Sequence, residues 1–455
     1  MAKRINLLEG NIALSLTKLA IPIMGMSLLQ MAYNLTDMFW IGKLGSGPVA
    51  SIGTGGMIGW LFMGIHSVAQ IGGQVHVAKS LGAGKHKEAG KFAHAAIILS
   101  LSLTITLALL TVIFINPIIN VFGLNDPQII LDAKNYVLIT CGFGTFTLMS
   151  KLLISLTTAT GDSKTPFIAT TVGLVFNIVL DPVLIFGFGF IPAMGVIGAA
   201  IATIVAQFLM MLILVIHALK DTHLFCHVKM KTLPEFDKIL QIIKLAYPIA
   251  IQETLYPIFS IAISRLIAGF GDSAVAVQRI GSQLESVSWM VTGGFAMALN
   301  SFIAQNHGAK NYIRAKQGFK QAFILLSIYG IIVSLLLIFC AKPLFCIFLQ
   351  EEEVVAMGVN YLVIFGATQL FLCWEIIASN TMNAFGKTLS PALASIIITA
   401  MRIPASILLS STDLALNGIW VSVSASTLVK ALVLMILILI FLKKLPNTSG
   451  KETIM

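Results

Sequence analysis

Charged side chains are scarce in this chain. Asp, Glu, Lys and Arg make up 11% of its 455 residues, where soluble domains carry about a quarter, so an ordinary water-soluble fold is excluded. Cysteine is scarce too. Cys141, Cys226, Cys340, Cys346 and Cys373 show no metal-ligand spacing and give no reason to expect disulfides. Short segments of alternating apolar and polar residues are missing, which argues against a membrane β-barrel. Neither a nucleophile elbow nor a phosphate-binding glycine loop is found, so an integral-membrane enzyme is not expected. His66 and His76 read as structural. The basic N-terminus leads into no short apolar core with a small-residue cleavage site. The first apolar stretch is therefore expected to remain as a helix rather than leave as a signal peptide.

What fills the chain is apolar residues, 57% of the total. A helix needs roughly 20 of them in succession to cross a bilayer. The runs and the polar breaks between them predict twelve spans: 15–39, 52–78, 92–115, 130–157, 165–187, 193–218, 240–268, 276–304, 317–341, 355–382, 389–410 and 417–442. The fold class read from this pattern is an all-α polytopic membrane protein. The net charge of +10 could suggest nucleic acid. Most of the basic residues, however, fall in loops on one side if both termini are cytoplasmic. That is the positive-inside pattern, which orients the chain and removes the need for a nucleic-acid partner. Lys43, Lys134, Arg265 and Lys342 fall on the other side, and Arg279, Arg402 and Lys430 lie within spans.

The chain also repeats itself. Lys18-Leu19-Ala20-Ile21-Pro22-Ile23 returns as Lys244-Leu245-Ala246-Tyr247-Pro248-Ile249, a shift of 226 positions. Gly45, Gly55 and Gly82 meet Gly271, Gly281 and Gly308 under the same shift, and Asn135-Tyr136 recurs as Asn360-Tyr361. Six spans per copy is an even number, so both copies enter the membrane from the same side. The expected organisation is a six-helix N-lobe over 1–219, a cytoplasmic linker over 220–239 and a six-helix C-lobe over 240–455. Parallel repeats of this kind place a substrate site near the bilayer midplane and alternate its access. Gly53, Gly55, Gly56, Gly59 and Gly64 read as helix-packing contacts.

Within the apolar spans stand carboxylates that hydrocarbon disfavours, Asp37 and Asp181 above all. Intramembrane acids line pathways or ion sites as a rule. Asn177 and Asp181 are four residues apart and share a helix face. Carboxylate, amide and hydroxyl oxygens suit a hard cation, and two neighbouring acids can instead load a proton. The residues leave Na+ and H+ both open. Tyr33 and Asn34 stand one turn before Asp37 as possible supporting groups. A second set of polar and charged residues, Glu253, Gln278, Arg279, Gln283, Glu285, Glu375 and Arg402, lies in the later spans. It reads either as a substrate or proton network or as internal salt bridges, such as Glu285 or Glu253 with Arg279 or Arg402.

Three segments carry a resemblance. Tyr33-Asn34-Leu35-Thr36-Asp37-Met38-Phe39-Trp40-Ile41-Gly42, Asn177-Ile178-Val179-Leu180-Asp181-Pro182 and Gly195-Val196-Ile197-Gly198-Ala199-Ala200-Ile201-Ala202-Thr203, set in two lobes of six helices, resemble the multidrug and toxic compound extrusion family, in detail its prokaryotic DinF-type branch. The resemblance implies a cation-coupled antiporter that exports bulky, often cationic or amphipathic compounds. It implies an N-lobe cation site at Asp37, Asn177, Asp181 and Thr203, and these four would be the metal ligands if the ion is Na+. Beyond the coupling ion no cofactor is implied. The expected partners are small organic substrates and the lipid bilayer, the expected location is the cell membrane, and the expected state is a monomer. In NorM-type relatives functional acids stand on the seventh and tenth helices. Glu253 and Glu375 match those helices, with Glu253 about one turn early. A lipid-linked saccharide flippase or a dedicated metabolite exporter of the same superfamily is the alternative.

Overall fold

The computed structural model describes residues 4–449 apart from 125, 190, 349 and 350. Helices dominate. The first half runs α1 (Ile12–Gly42), α2 (Ser46–Gly82), α3 (His86–Asn120), α4 (Pro127–Gly142), α5 (Gly144–Ala159), α6 (Lys164–Phe186) and α7 (Gly195–Lys220). The second runs α8 (Phe236–Ala268), α9 (Asp272–Gly308), α10 (Tyr312–Phe339), a short α11 (Ala341–Cys346), α12 (Glu352–Gly366), α13 (Gln369–Ala384), α14 (Leu389–Ala400), α15 (Arg402–Ser410) and α16 (Ala415–Lys444). Extended pairing among the described residues is confined to two isolated bridges, Phe188 with Ile191 and Asn311 with Ser449.

Nine stretches among the described residues are long and apolar enough to cross a membrane, and two bent helix pairs raise the number to eleven. The remaining expected span is α8. It is 33 residues long but carries Asp237, Lys238, Lys244, Glu253 and Arg265, and it does not meet the same apolarity. Two spans read as continuous from the sequence are broken. α4 and α5 meet at 43°, and so do α12 and α13. A glycine, Gly142 or Gly366, closes the first helix of each pair. Glycine is a weak helix residue, and in both places the next residues leave helical geometry: Phe143 at φ −96°, ψ 16° and Thr368 at φ −112°, ψ 5°. The breaks occupy matching places in the two repeats.

The chain divides into two compact units. Unit 1 holds the described residues up to Asn6 together with Gly25–Thr254; unit 2 holds Leu7–Met24 and the residues from Leu255 onward. The opening turns of α1 thus group with the second repeat, and those of α8 group with the first. Inside unit 1, Gly72 of α2 lets α8 come close: a Cβ there would lie 2.8 Å from the Ile242 carbonyl oxygen. Inside unit 2, Gly294 of α9 does the same for α1, with Met24 Cα 3.0 Å from the missing Cβ. Without water to drive helices together, close backbone approach at small residues supplies the packing. Unit 2 is centred on Trp420, Tyr361, Phe345 and Ile419, and one apolar cluster of unit 1 is built on Ile58, Ile119, Ala133 and Val137. Among the glycines read as packing contacts, Gly55 and Gly64 are such contacts, whereas Gly53, Gly56 and Gly59 face open space.

Candidate cation site

Unit 1 brings residues from four helices to one place. Asp181 and Asn177 sit on α6 with no exposed surface. They are one turn apart, and the Asn177 Nδ2 donates to Asp181 Oδ1 at 3.0 Å. α6 continues through Pro182. Proline cannot donate to the carbonyl four residues back, so the turn that carries this pair is the turn with a missing backbone bond. Asp37 of α1 lies within hydrogen-bonding reach of Asp181, and Tyr33, one turn earlier on α1, lies within reach of Asp37. The Tyr33 hydroxyl also donates to Thr203 Oγ1 of α7 at 2.9 Å. Asn34 stands apart. It is exposed and accepts from Gln30 Nε2 at 3.4 Å, because one residue of helix turns it about 100° from Tyr33.

Three buried oxygens of this group, Asp37 Oδ1, Asn177 Oδ1 and Asp181 Oδ2, have no hydrogen-bond donor. An unsatisfied buried polar group costs about 1–3 kcal/mol, and here three acceptors are gathered with two carboxyls among them. A proton shared between the acids, or a small hard cation, would satisfy the set. The group offers no nitrogen or sulfur ligand, so softer transition metals are poorly served. Tyr136 of α4 stands near both carboxyls and was visible in the sequence only as the repeat partner of Tyr361. Against Tyr33 lies a cavity of about 20 Å³, lined also by Gln30, Thr170, Gln207 and Met210. Thr170 Oγ1 and Gln207 Oε1 have no partner, and a space of this size holds one water molecule.

The second set of sequence-selected residues divides. Glu253 belongs to unit 1, where it lies against α2: a Cβ on Gly64 would come 3.2 Å from its carbonyl carbon. Arg279 and Gln283 are exposed on α9. One ion pair lies outside those expected: Glu375 of α13 meets Lys430 of α16 at 2.7 Å. Arg402 directs Nε to Ser426 Oγ at 2.5 Å and Nη2 to Thr427 Oγ1 at 3.0 Å. Glu285 faces the Tyr361 hydroxyl within hydrogen-bonding reach, and Gln278 Nε2 donates to that hydroxyl at 3.4 Å. The sequence marks Lys430 only as a basic residue within the last span; the packing of α13 on α16 supplies its acid.

Fold and site together describe a multi-pass helical membrane transporter. The MatE family model matches residues 22–183 and again 248–408, so the chain belongs to that family, whose members are ion-coupled transporters of small organic compounds and not enzymes. The two matched segments begin 226 residues apart, the repeat shift seen in the sequence. The chain is 28% identical to the probable multidrug resistance protein NorM of Thermotoga maritima, over 91% of this chain and 90% of that protein. It is 26% identical to the FAD transporter of Shewanella oneidensis, over 89% and 88%. The solved structure of a MATE transporter from Vibrio cholerae superposes with a TM-score of 0.86 at 22% identity, covering 95% of this chain and 97% of that one.

Proposed function

We propose that this protein is a cation-coupled multidrug antiporter of the cell membrane, of the DinF-type branch, acting as a monomer with both termini in the cytoplasm. The N-terminal repeat (1–219) carries the ion site, residues 220–239 join the repeats, and the C-terminal repeat (240–455) completes the transporter. Asp37, Asn177, Asp181 and Thr203 hold the ion, Na+ or H+, and Tyr33 positions Thr203 and Asp37. The observation that carries the reading is the meeting of two acids from α1 and α6, one oxygen of each, Asp37 Oδ1 and Asp181 Oδ2, being buried and without a donor. An ion entering from outside gains about 2.3 kcal/mol per 100 mV of membrane potential, enough to drive modest uphill export. Loading the site draws α1 toward α6, and release of the ion inside lets the next substrate molecule be taken up.

The test is transport in reconstituted vesicles under imposed Na+ or H+ gradients with a panel of organic cations. Asp37→Asn and Asp181→Asn, each shown to be folded, are expected to abolish gradient-driven export. Export at the wild-type rate in either variant would overturn the assignment. A second reading, a dedicated exporter of one metabolite bearing negative charge, is favoured by the buried guanidinium of Arg402, held by hydroxyls (Ser426 and Thr427), and by the FAD-transporting relative. Competition of the organic cations by flavin dinucleotide in the same vesicles separates the two.

A further inference from the structure

Unit 1 holds a lysine at membrane depth without an acid to balance it. Lys151 belongs to α5, and among the described residues no carboxylate pairs with it. A cation inside a span is costly against lipid, and such residues pair or line a site as a rule. The helix faces show where this one stands. Ser155, one turn after Lys151, meets Gln70 of α2, and Ser150 meets the backbone of α7 at Gln207. Lys151 lies on the arc of α5 between these two contacts. That arc is the open one: Thr147, Lys151 and Ile154 are half-buried there, whereas Met149, Leu153 and Thr157 on the opposite arc are buried.

The surroundings of Lys151 are rich in donors. His66 and Gln70 are one turn apart on α2, and Gly73 on the same face closes against Ala96 of α3 and Leu152 of α5. His66 has no exposed surface, and Lys151 stands near it. His66 Nε2 is 2.7 Å from the Ser100 hydroxyl oxygen of α3, while its Nδ1 is buried and has no partner. Gln70 Nε2 donates to Ser155 Oγ at 3.0 Å, which leaves the hydroxyl hydrogen of Ser155 to be given elsewhere. The acid of α8 approaches from another side. Glu253 meets α2 at Gly64, on the face opposite His66 and Gln70.

We propose that Lys151, with His66 and Ser155, forms an oxyanion-binding site in unit 1 that takes the carboxylate or phosphate group of an organic compound. Lysine supplies the charge. The Ser155 hydroxyl supplies a neutral donor, and so does His66 Nδ1 in the tautomer whose Nε2 accepts from Ser100. Charge-assisted hydrogen bonds from such a set are strong where water is excluded. The group has the opposite sign to the one at Asp37 and Asp181: there acceptors lack donors, and here donors lack an acceptor. Anion binding at Lys151 stands without the antiporter reading; its use as a substrate subsite rests on the second reading above, an exporter of compounds bearing negative charge.

The experiment is isothermal titration calorimetry of the purified full-length protein in lipid nanodiscs, with naphthyl phosphate, inorganic phosphate and tetraphenylphosphonium as titrants. Naphthyl phosphate is expected to bind, and Lys151→Gln to weaken it by about tenfold or more. Lys151→Arg is expected to keep most of the affinity, and tetraphenylphosphonium to bind both variants as it binds the wild type. Arg402→Gln, which removes the buried guanidinium of unit 2, is expected to leave naphthyl phosphate binding unchanged. Inorganic phosphate bound as tightly as the naphthyl ester, and lost with it in Lys151→Gln, would assign the site to a free anion and overturn the organic ligand. Wild-type protein that binds neither phosphate, or Lys151→Gln that keeps the naphthyl phosphate affinity, would overturn the site itself. So would a loss that tetraphenylphosphonium shares and Lys151→Arg does not restore, which would make the lysine structural. No gradient enters the titration, so its failure and a failure of the Asp37 and Asp181 assignment are seen separately.

Discussion

At the scale of single residues, what matters is whether a side chain has a partner or a space. Asp37, Asn177 and Asp181 matter because oxygens from all three lack donors. Gly55 and Gly281 matter because a tyrosine ring fills the place of a side chain. Gly55→Ala and Gly281→Ala force a methyl into the Tyr136 and Tyr361 rings, and overpacking of this kind costs about 1–3 kcal/mol. Gly53→Ala meets nothing within contact distance. We expect the first two to lower the melting midpoint in detergent and Gly53→Ala to leave it unchanged or raise it slightly. A Gly55→Ala protein as stable as the wild type would show that α4 can yield, and would remove the reason for glycine there.

At the scale of elements, the ends of α3 and α10 hold the segments that lead into α8 and α1. In unit 1, Glu88 binds Lys238 at 3.2 Å and Lys91 binds Glu235 at 2.6 Å. The Lys91 ammonium holds the Glu235 carboxyl below its usual range, although both are exposed and water screens the pair. In unit 2, Arg314, the repeat partner of Glu88, donates to the carbonyl oxygens of Leu7, Gly10 and Glu9 at 3.1, 2.8 and 2.8 Å. A guanidinium reaches three acceptors from one fixed plane; an ammonium on a flexible stem does not reproduce that fork. Arg314→Ala is expected to lower stability by about 1–3 kcal/mol, and Arg314→Lys to recover less than half of the loss. Protease protection of the segment before α1 is the measurement. Full rescue by lysine would mean that charge alone, and not the fork, holds the segment.

At the scale of the whole molecule, Asp221 closes unit 1 from both chain directions. It accepts from the backbone N–H groups of Leu224 and Phe225 at 2.7 and 2.9 Å and is paired with Arg4. Burial pushes the Asp221 carboxyl up, but the two N–H groups and the Arg4 guanidinium outweigh it, and the carboxyl is held below the ordinary Asp value. A carboxyl lowered by folding contributes stability above its unfolded pKa, about 3.9, and loses it as the pH falls through the lower folded value. The melting midpoint should therefore drop as the pH goes below about 4, and Arg4→Ala should reduce the size of that drop. If the acid limb of the pH profile is the same in wild type and Arg4→Ala, the pair contributes nothing to stability.

Much of this protein was legible before any coordinates, for a local reason. Bilayer thickness turns apolar run length into helix position, which is why the spans lie close to the helices found, and the i, i+4 spacing alone put Asn177 beside Asp181. The 226-residue shift announced two copies of one unit. Other features depend on how distant helices are rotated against one another, which no short window records. Tertiary packing paired Glu375 with Lys430, turned Asn34 outward, bent the spans at Phe143 and at Ala367–Thr368, and set Glu253 in the first unit. A buried charge takes whichever counter-charge the packed neighbour presents, and that is decided by the rotation of each helix about its own axis.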